Sequence, residues 1–198
     1  MANQLKGDGA QALPRPKDAE KAVEALTQWA QKDTALAAQL AGYVALSQSF
    51  TQQVLTGPTG ERNSYTLLPR EHVLCLAEDR TDLLAQLAAV LAVGSRALVA
   101  ESNAAVVKEL PKEVAQRIEL VADWSTTDKV FDAILHHGDS DQLRAVCELA
   151  SQRKGAIVGV TGLNRGETDI PLERLLIERA LSVNTAAAGG NASLMTIG

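Results

Sequence analysis

Few residues in this sequence have a type and spacing that could do chemistry. The most promising group is His136, His137, Gly138 and Asp139. It follows the apolar run Ala133-Ile134-Leu135 and precedes a helical pattern that opens near Ser140. A turn between a strand and a helix N-terminus presents free backbone N–H groups, so this turn is the place in the chain suited to capturing a phosphate. The adjacent histidines have no Cys or carboxylate at a helical ligand spacing, and no metal site is expected. Cys75 sits in the apolar run 72–77, and Cys147 on the apolar face of a helical pattern. Both read as packed thiols, because a reactive thiolate needs exposure and nearby positive charge. No G-x-G-x-x-G follows a strand, and there is no P-loop and no G-x-S-x-G. Composition and spacing assemble no nucleophile, base and orienting group. The expectation is a fragment with no catalytic, metal or cofactor-binding residues of its own.

The elements that would position these residues follow from periodicity. Residues 18–32 are expected to form a helix capped by Asp18, with Ala22, Val23, Leu26, Trp29 and Ala30 inward. A second helix starts at Asp33 and runs through Leu36, Leu40 and Val44 toward Val54. Trp29, Tyr43 and Phe50 are read as packing residues. Gly57-Pro58-Thr59-Gly60 makes a turn, followed by a strand at 64–68 and a more apolar strand at 72–77. Strands and helices then alternate. Thr81 is expected to cap a helix at 82–93 that Gly94 stops. Strands follow at 97–99, 119–121, 133–136 and 156–160, with helical segments at 103–118 and 141–153, the latter capped by Ser140. A polar loop at 163–169, a helix from Pro171 and a strand at 180–183 complete the pattern. Short apolar strands alternating with amphipathic helices define an α/β, Rossmann-like, doubly wound and mainly parallel sheet, here with an N-terminal helical pair and a β-hairpin arm. The expected division is a linker or flexible arm at 1–17, the helical pair at 18–56, the Rossmann-like unit at 57–181 and a docking motif at 182–198.

Composition sets the outer bounds. At 198 residues and 46% apolar, the chain suits one α/β domain. Aromatics are only 3%, so Ala, Leu and Val must build the core. A net charge of -5, with no basic run, argues against a nucleic-acid surface. There is no Cys-x-x-Cys, no apolar signal segment, and no apolar run near the ~20 residues that span a bilayer. The expected location is the cytoplasm.

The C-terminal stretch is unlike an ordinary tail. It carries no charged side chain after Arg179. The docking motif is the run Ser182-Val183-Asn184-Thr185-Ala186-Ala187-Ala188-Gly189-Gly190-Asn191-Ala192-Ser193-Leu194-Met195. Small residues permit close backbone approach, Asn and Ser supply local hydrogen bonds, and the apolar end needs a cover. Such a segment docks on its own chain or on a partner.

Several runs resemble the C-terminal region of the proline utilization A family. They are Thr56-Gly57-Pro58-Thr59-Gly60-Glu61-Arg62-Asn63, Pro69-Arg70-Glu71-His72-Val73-Leu74-Cys75, the helix end Leu87 to Gly94, Gly138-Asp139-Ser140-Asp141-Gln142-Leu143 and the docking motif itself. The resemblance implies a parent enzyme that oxidises proline with FAD in one domain and glutamate semialdehyde with NAD in an aldehyde dehydrogenase domain, passing the intermediate through a tunnel. It also implies that this segment is a non-catalytic domain similar to the cofactor-binding half of aldehyde dehydrogenases. Its partners would be the catalytic domains of the same polypeptide, and its terminal motif would help seal the tunnel. Homo-oligomerisation through the hairpin or the tail is compatible with that role, since a β-arm can pair with another sheet edge.

Set against aldehyde dehydrogenases, the cofactor contacts implied by resemblance are replaced. Ala100 and Asn103 stand where that family's ribose-binding Lys and Glu would be. His137-Gly138-Asp139 stands where a Thr-Gly-Ser turn meets pyrophosphate, and an anionic Asp there repels phosphate. Val158-Gly159-Val160-Thr161-Gly162 offers no carboxylate where that family has a Glu, and the domain carrying the nucleophilic Cys is missing. The alternative reading is a degenerate nucleotide-binding or regulatory module using the loops near Gly138 and Gly162.

Overall fold

Two sheets organise the chain, and the computed structural model describes residues 10–57 and 59–184. The first sheet is parallel and has five strands in the order β6-β5-β4-β7-β8. These are β4 (His72–Cys75), β5 (Arg96–Ala100), β6 (Ile118–Val121), β7 (Ala133–His137) and β8 (Gly159–Leu163). The second is antiparallel and has the order β1-β2-β3-β9. Its strands are β1 (Ala10–Ala12), β2 (Thr51–Leu55), β3 (Glu61–Pro69) and β9 (Leu176–Asn184). The helices are α1 (Lys17–Ala30), α2 (Thr34–Leu46), α3 (Arg80–Val93), α4 (Ala104–Glu109), α5 (Lys112–Ala115) and α6 (Ser140–Gln152). The α/β, doubly wound class expected from the sequence is the class observed.

Strand alternation builds a core on each face of the parallel sheet. Val73, Cys75, Ala97, Val99, Ala133 and Leu135 face α1, α2 and α3. Leu74, Leu98 and Ile134 face the other way, with Val121, Phe131 and Val146 of α6. Helix α3 is apolar on every side apart from Asp82 and Gln86, and every residue from Asp82 to Val93 is buried. A helix of that composition must lie at the centre of the packing. Gly94 ends it in the left-handed region at φ 96, and an added Cβ would sit 2.7 Å from the Phe50 ring. That stop is the one read from the sequence.

Several local expectations are corrected. Residues 51–55 form β2, where the helical pattern was expected to continue to Val54. The helix stops because Ser47 turns extended and Phe50 takes φ 60, after which Thr51 pairs with Leu67. Residues 10–12 pair with β2 within the stretch expected as a linker. The strand expected at 156–160 begins at Gly159, paired with Ala133, and Ile157 is fully exposed. The final strand starts earlier, at Leu176, and pairs with β3 along its whole length. Pro171 is followed by a short 3-10 turn, Leu172–Leu175. Asp18 does not cap α1; its carboxylate bridges Arg96 at 3.0 Å and the buried Arg117 at 2.5 Å. Arg117 also donates to the Gly94 and Ser95 carbonyls, clamping α1 to the sheet. Asp79 caps α3, and Asp139 caps α6, one residue or two ahead of the positions expected.

Candidate functional site at the carboxyl edge of the parallel sheet

In a doubly wound sheet, ligands bind beyond the carboxyl ends of the strands where the strand order reverses. Here that point lies between β4 and β7, the two central strands that lead to opposite edges. The structure brings His136, His137, Gly138 and Asp139 to it, as the sequence suggested, and His137 and Asp139 are engaged by their own neighbours.

The Asp139 carboxylate accepts from the Asp141 and Gln142 amides at 3.0 and 2.9 Å. The Gln142 side chain accepts from the Asp139 amide at 3.1 Å, which completes a capping box. The helix N-terminus that would meet a phosphate is thus engaged by a carboxylate from within the chain. Gly138 leaves no room beneath: a Cβ there would lie 2.5 Å from the His136 Nε2 atom and 2.6 Å from Gln142 Oε1.

His136 and His137 are both buried and have opposite surroundings. Neither ring nitrogen of His136 has a hydrogen-bond partner among the described residues. Burial holds its pKa below the ordinary value, the neighbouring His137 adds to that, and Glu78 and Asp139 oppose it. His137 is fully connected. Gln86, itself fully buried, accepts from the Ala77 amide through its oxygen, so its amide nitrogen donates to His137 Nδ1 at 2.8 Å. The other ring nitrogen, Nε2, then carries the proton and donates to the Glu167 carbonyl at 2.9 Å. This relay runs from the end of β4 through α3 and β7 into the loop after β8.

That loop is held twice more. The buried Asp82 carboxylate accepts from the Gly166 amide at 2.9 Å, and the Tyr43 hydroxyl donates to the Thr168 carbonyl at 2.5 Å. Burial, then the nearby Asp169 charge, pushes the Tyr43 pKa up to about 12. Sequence reading took Tyr43 as packing and did not single out Asp82 or Gln86. The one signal was a carboxylate and an amide at i and i+4 inside an otherwise apolar helix.

The remaining candidates are scattered. Ala100 ends β5, and Asn103 donates to the Ala77 carbonyl at 3.1 Å, which ties the following turn to β4. Thr161 and Gly162 lie near the end of β8 against Leu143. Cys75 is buried, which pushes its thiol pKa up, and Cys147 is exposed on α6, contrary to its expected inward place. No cluster of three or more His, Cys, Asp or Glu that could hold a metal occurs among the described residues. Of the docking motif, Ser182, Val183 and Asn184 close β9 opposite Asn63, Arg62 and Glu61. Residues Thr185 to Met195 lie outside the described residues.

The fold places the chain with the aldehyde-dehydrogenase type of α/β domain. A solved structure of proline utilization A with proline bound in remote sites superposes with a TM-score of 0.59 at 16% identity, over 74% of this chain and 19% of that one. The aldehyde dehydrogenase KauB from Pseudomonas aeruginosa gives 0.51 at 13% identity, over 74% and 37%. Sequence similarity is more specific. The chain is 57% identical to the bifunctional protein PutA of Escherichia coli over 178 residues, which is 89% of this chain. The PutA of Rhizobium meliloti is 39% identical over 151 residues. The chain is therefore homologous to a segment of PutA, and it spans only 14% of the length of the Escherichia coli protein. No protein-family profile matches it. No helix among the described residues is long and apolar enough to cross a membrane.

Proposed function

We propose that this chain is a non-catalytic C-terminal domain of a proline-catabolising PutA enzyme. It docks on the catalytic domains of the same polypeptide, helps seal the channel between them and supports the dehydrogenase step. The parent would be a flavin-dependent proline dehydrogenase joined to an NAD-dependent glutamate semialdehyde dehydrogenase, working in the cytoplasm or peripherally at the inner membrane. One observation carries the reading: a group of exposed aliphatic side chains, set among Arg62, Ser64 and Arg179, lies on the sheet face that leads into the docking motif. Strand alternation and register place Val54, Ile177, Leu181 and Val183 on one side of the antiparallel sheet, and all four are exposed. Exposed aliphatic residues grouped on one face mark an interaction surface.

The carboxyl edge supports the non-catalytic half of the reading. Its helix N-terminus is engaged by Asp139, the space below Gly138 is filled by His136, Ala100 has no polar side-chain group to hold a ribose, and Asn103 turns its amide N–H to the Ala77 carbonyl. The competing reading, a degenerate nucleotide-binding or regulatory module, needs a ligand at these same loops. Calorimetry of the chain with NAD, NADH and ATP distinguishes the two. The docking reading expects no micromolar binding.

The direct test removes residues 182–198 from the parent enzyme. Coupled turnover of proline to glutamate is expected to fall several-fold, while proline oxidation with an artificial electron acceptor persists. Unchanged coupled turnover in a normally folded protein would overturn the proposal.

A further inference from the structure

We infer a second docking site, separate from the sheet face, in the groove between the end of α2, the end of β8 and the loop that follows it. Its occupant is an apolar segment bearing a lysine or arginine, contributed by the remainder of the longer polypeptide. This rests on the reading of the chain as one domain of that polypeptide.

The groove is a cavity of about 440 Å³. Leu163, Ile170, Leu172 and Leu176 line it and are buried. Leu46, the last residue of α2, stands at its rim and is 72% exposed. A large aliphatic side chain left in water beside an apolar hollow is unfavourable until something covers both.

Charge selects the cover. Glu167, Asp169 and Glu173 line the groove, and among the described residues no lysine or arginine lines it. Glu167 accepts from Asn164 through one oxygen. The carboxylates of Asp169 and Glu173 make no hydrogen bond or ion pair among the described residues. An apolar floor with an uncompensated carboxylate rim complements a cation on an aliphatic stem, whose methylenes pack while its head meets the carboxylates.

The groove is also preorganised. Tyr43, Asp82 and His137 come from α2, α3 and β7, and each holds backbone of the 164–170 loop. Asp82 and His137 are buried, so releasing the loop would leave buried polar groups unpaired. A rim fixed in this way loses little entropy on binding. The occupant is a segment of chain, because Leu46 widens the apolar contact beyond one side chain. More than four-fifths of the related polypeptide also lies outside the matched segment.

The test places a photoreactive benzophenone amino acid at position 46 of the full-length enzyme and identifies the cross-linked peptide by mass spectrometry. The expected product joins position 46 to a peptide outside this chain that contains a lysine or arginine. Its yield falls about tenfold in the Asp169→Asn/Glu173→Gln variant, as loss of two rim charges implies. Both positions are exposed, so folding is preserved, and the unsubstituted protein supplies an independent result. Cross-links confined to this chain, formed with a second copy, made to a peptide without a basic residue, or unchanged by neutralisation would each overturn the inference. The tail-deletion result is independent of these outcomes, so the two readings fail separately.

Discussion

The two sheets treat their functional groups in opposite ways. At the carboxyl edge of the parallel sheet, polar groups that look suited to a ligand are engaged internally. Asp139 takes the α6 amides, Gln86 and His137 form a relay to the Glu167 carbonyl, and Asp82 holds Gly166. On the antiparallel sheet the reverse holds: Ile177, Leu181 and Val183 lie open along β9. The proposed docking role rests on that contrast, which can be tested residue by residue.

The largest difference is expected between the cores. Ile134→Ala in β7, where the side chain is fully buried, should cost ~2–5 kcal/mol, read from urea denaturation of the chain. A cost below about 1 kcal/mol would mean that the parallel sheet is looser than described. Next is the relay. Gln86→Leu removes the partner of His137 Nδ1 and of the Ala77 amide, and should destabilise by about 1–3 kcal/mol. Amide exchange in the 164–170 loop should accelerate with it; an undisturbed loop would show that the relay does not hold it.

His136 gives a smaller, pH-dependent effect. Its folded pKa lies below the unfolded value, so the unfolded state binds the proton first as pH falls. The neutral ring contributes stability above the unfolded histidine pKa, and that contribution is lost as pH drops below it. His136→Gln should flatten the stability profile between pH 7.5 and 5.5, and equal slopes would exclude the mechanism. Smallest is Leu181→Ala on the open sheet face. It should change the stability of the chain by about 0.5 kcal/mol or less, while lowering coupled turnover in the parent enzyme.

The class of fold was legible because apolar strands and amphipathic helices alternate, and because Gly94 marks a helix end that only a left-handed residue can make. The helix caps were displaced for a common reason. Asp79 and Asp139 each accept two backbone amides from an extended backbone and place a negative charge at the positive end of the helix, which leaves Thr81 and Ser140 within the first turn. The pair Asp139 and Gln142 carried the capping-box spacing in the sequence. Strand β2 was hidden because Leu46 to Val54 continues a helical apolar spacing, and only the backbone turn at Phe50 breaks it. Strand β8 was misplaced because Ala156-Ile157-Val158 looks apolar, whereas pairing with β7 begins at Gly159. The site was half visible. The strand-end turn could be found by its position, but its closure depends on Asp82 and Gln86 of α3 and on His137 of β7, two elements distant in sequence.

The pairing of β3 with β9 has a consequence for the order of folding. The whole parallel sheet lies between them in the chain, so their ladder closes the longest loop of any strand pairing among the described residues. Such closures are entropically costly until the intervening structure has formed. The parallel core should therefore form first and bring Leu176 beside Pro69. The ladder then zips outward toward Asn184 and Glu61. The strand that leads into the proposed docking motif is the last to be secured, so the sheet face it shares with β3 is completed only after the core that supports it.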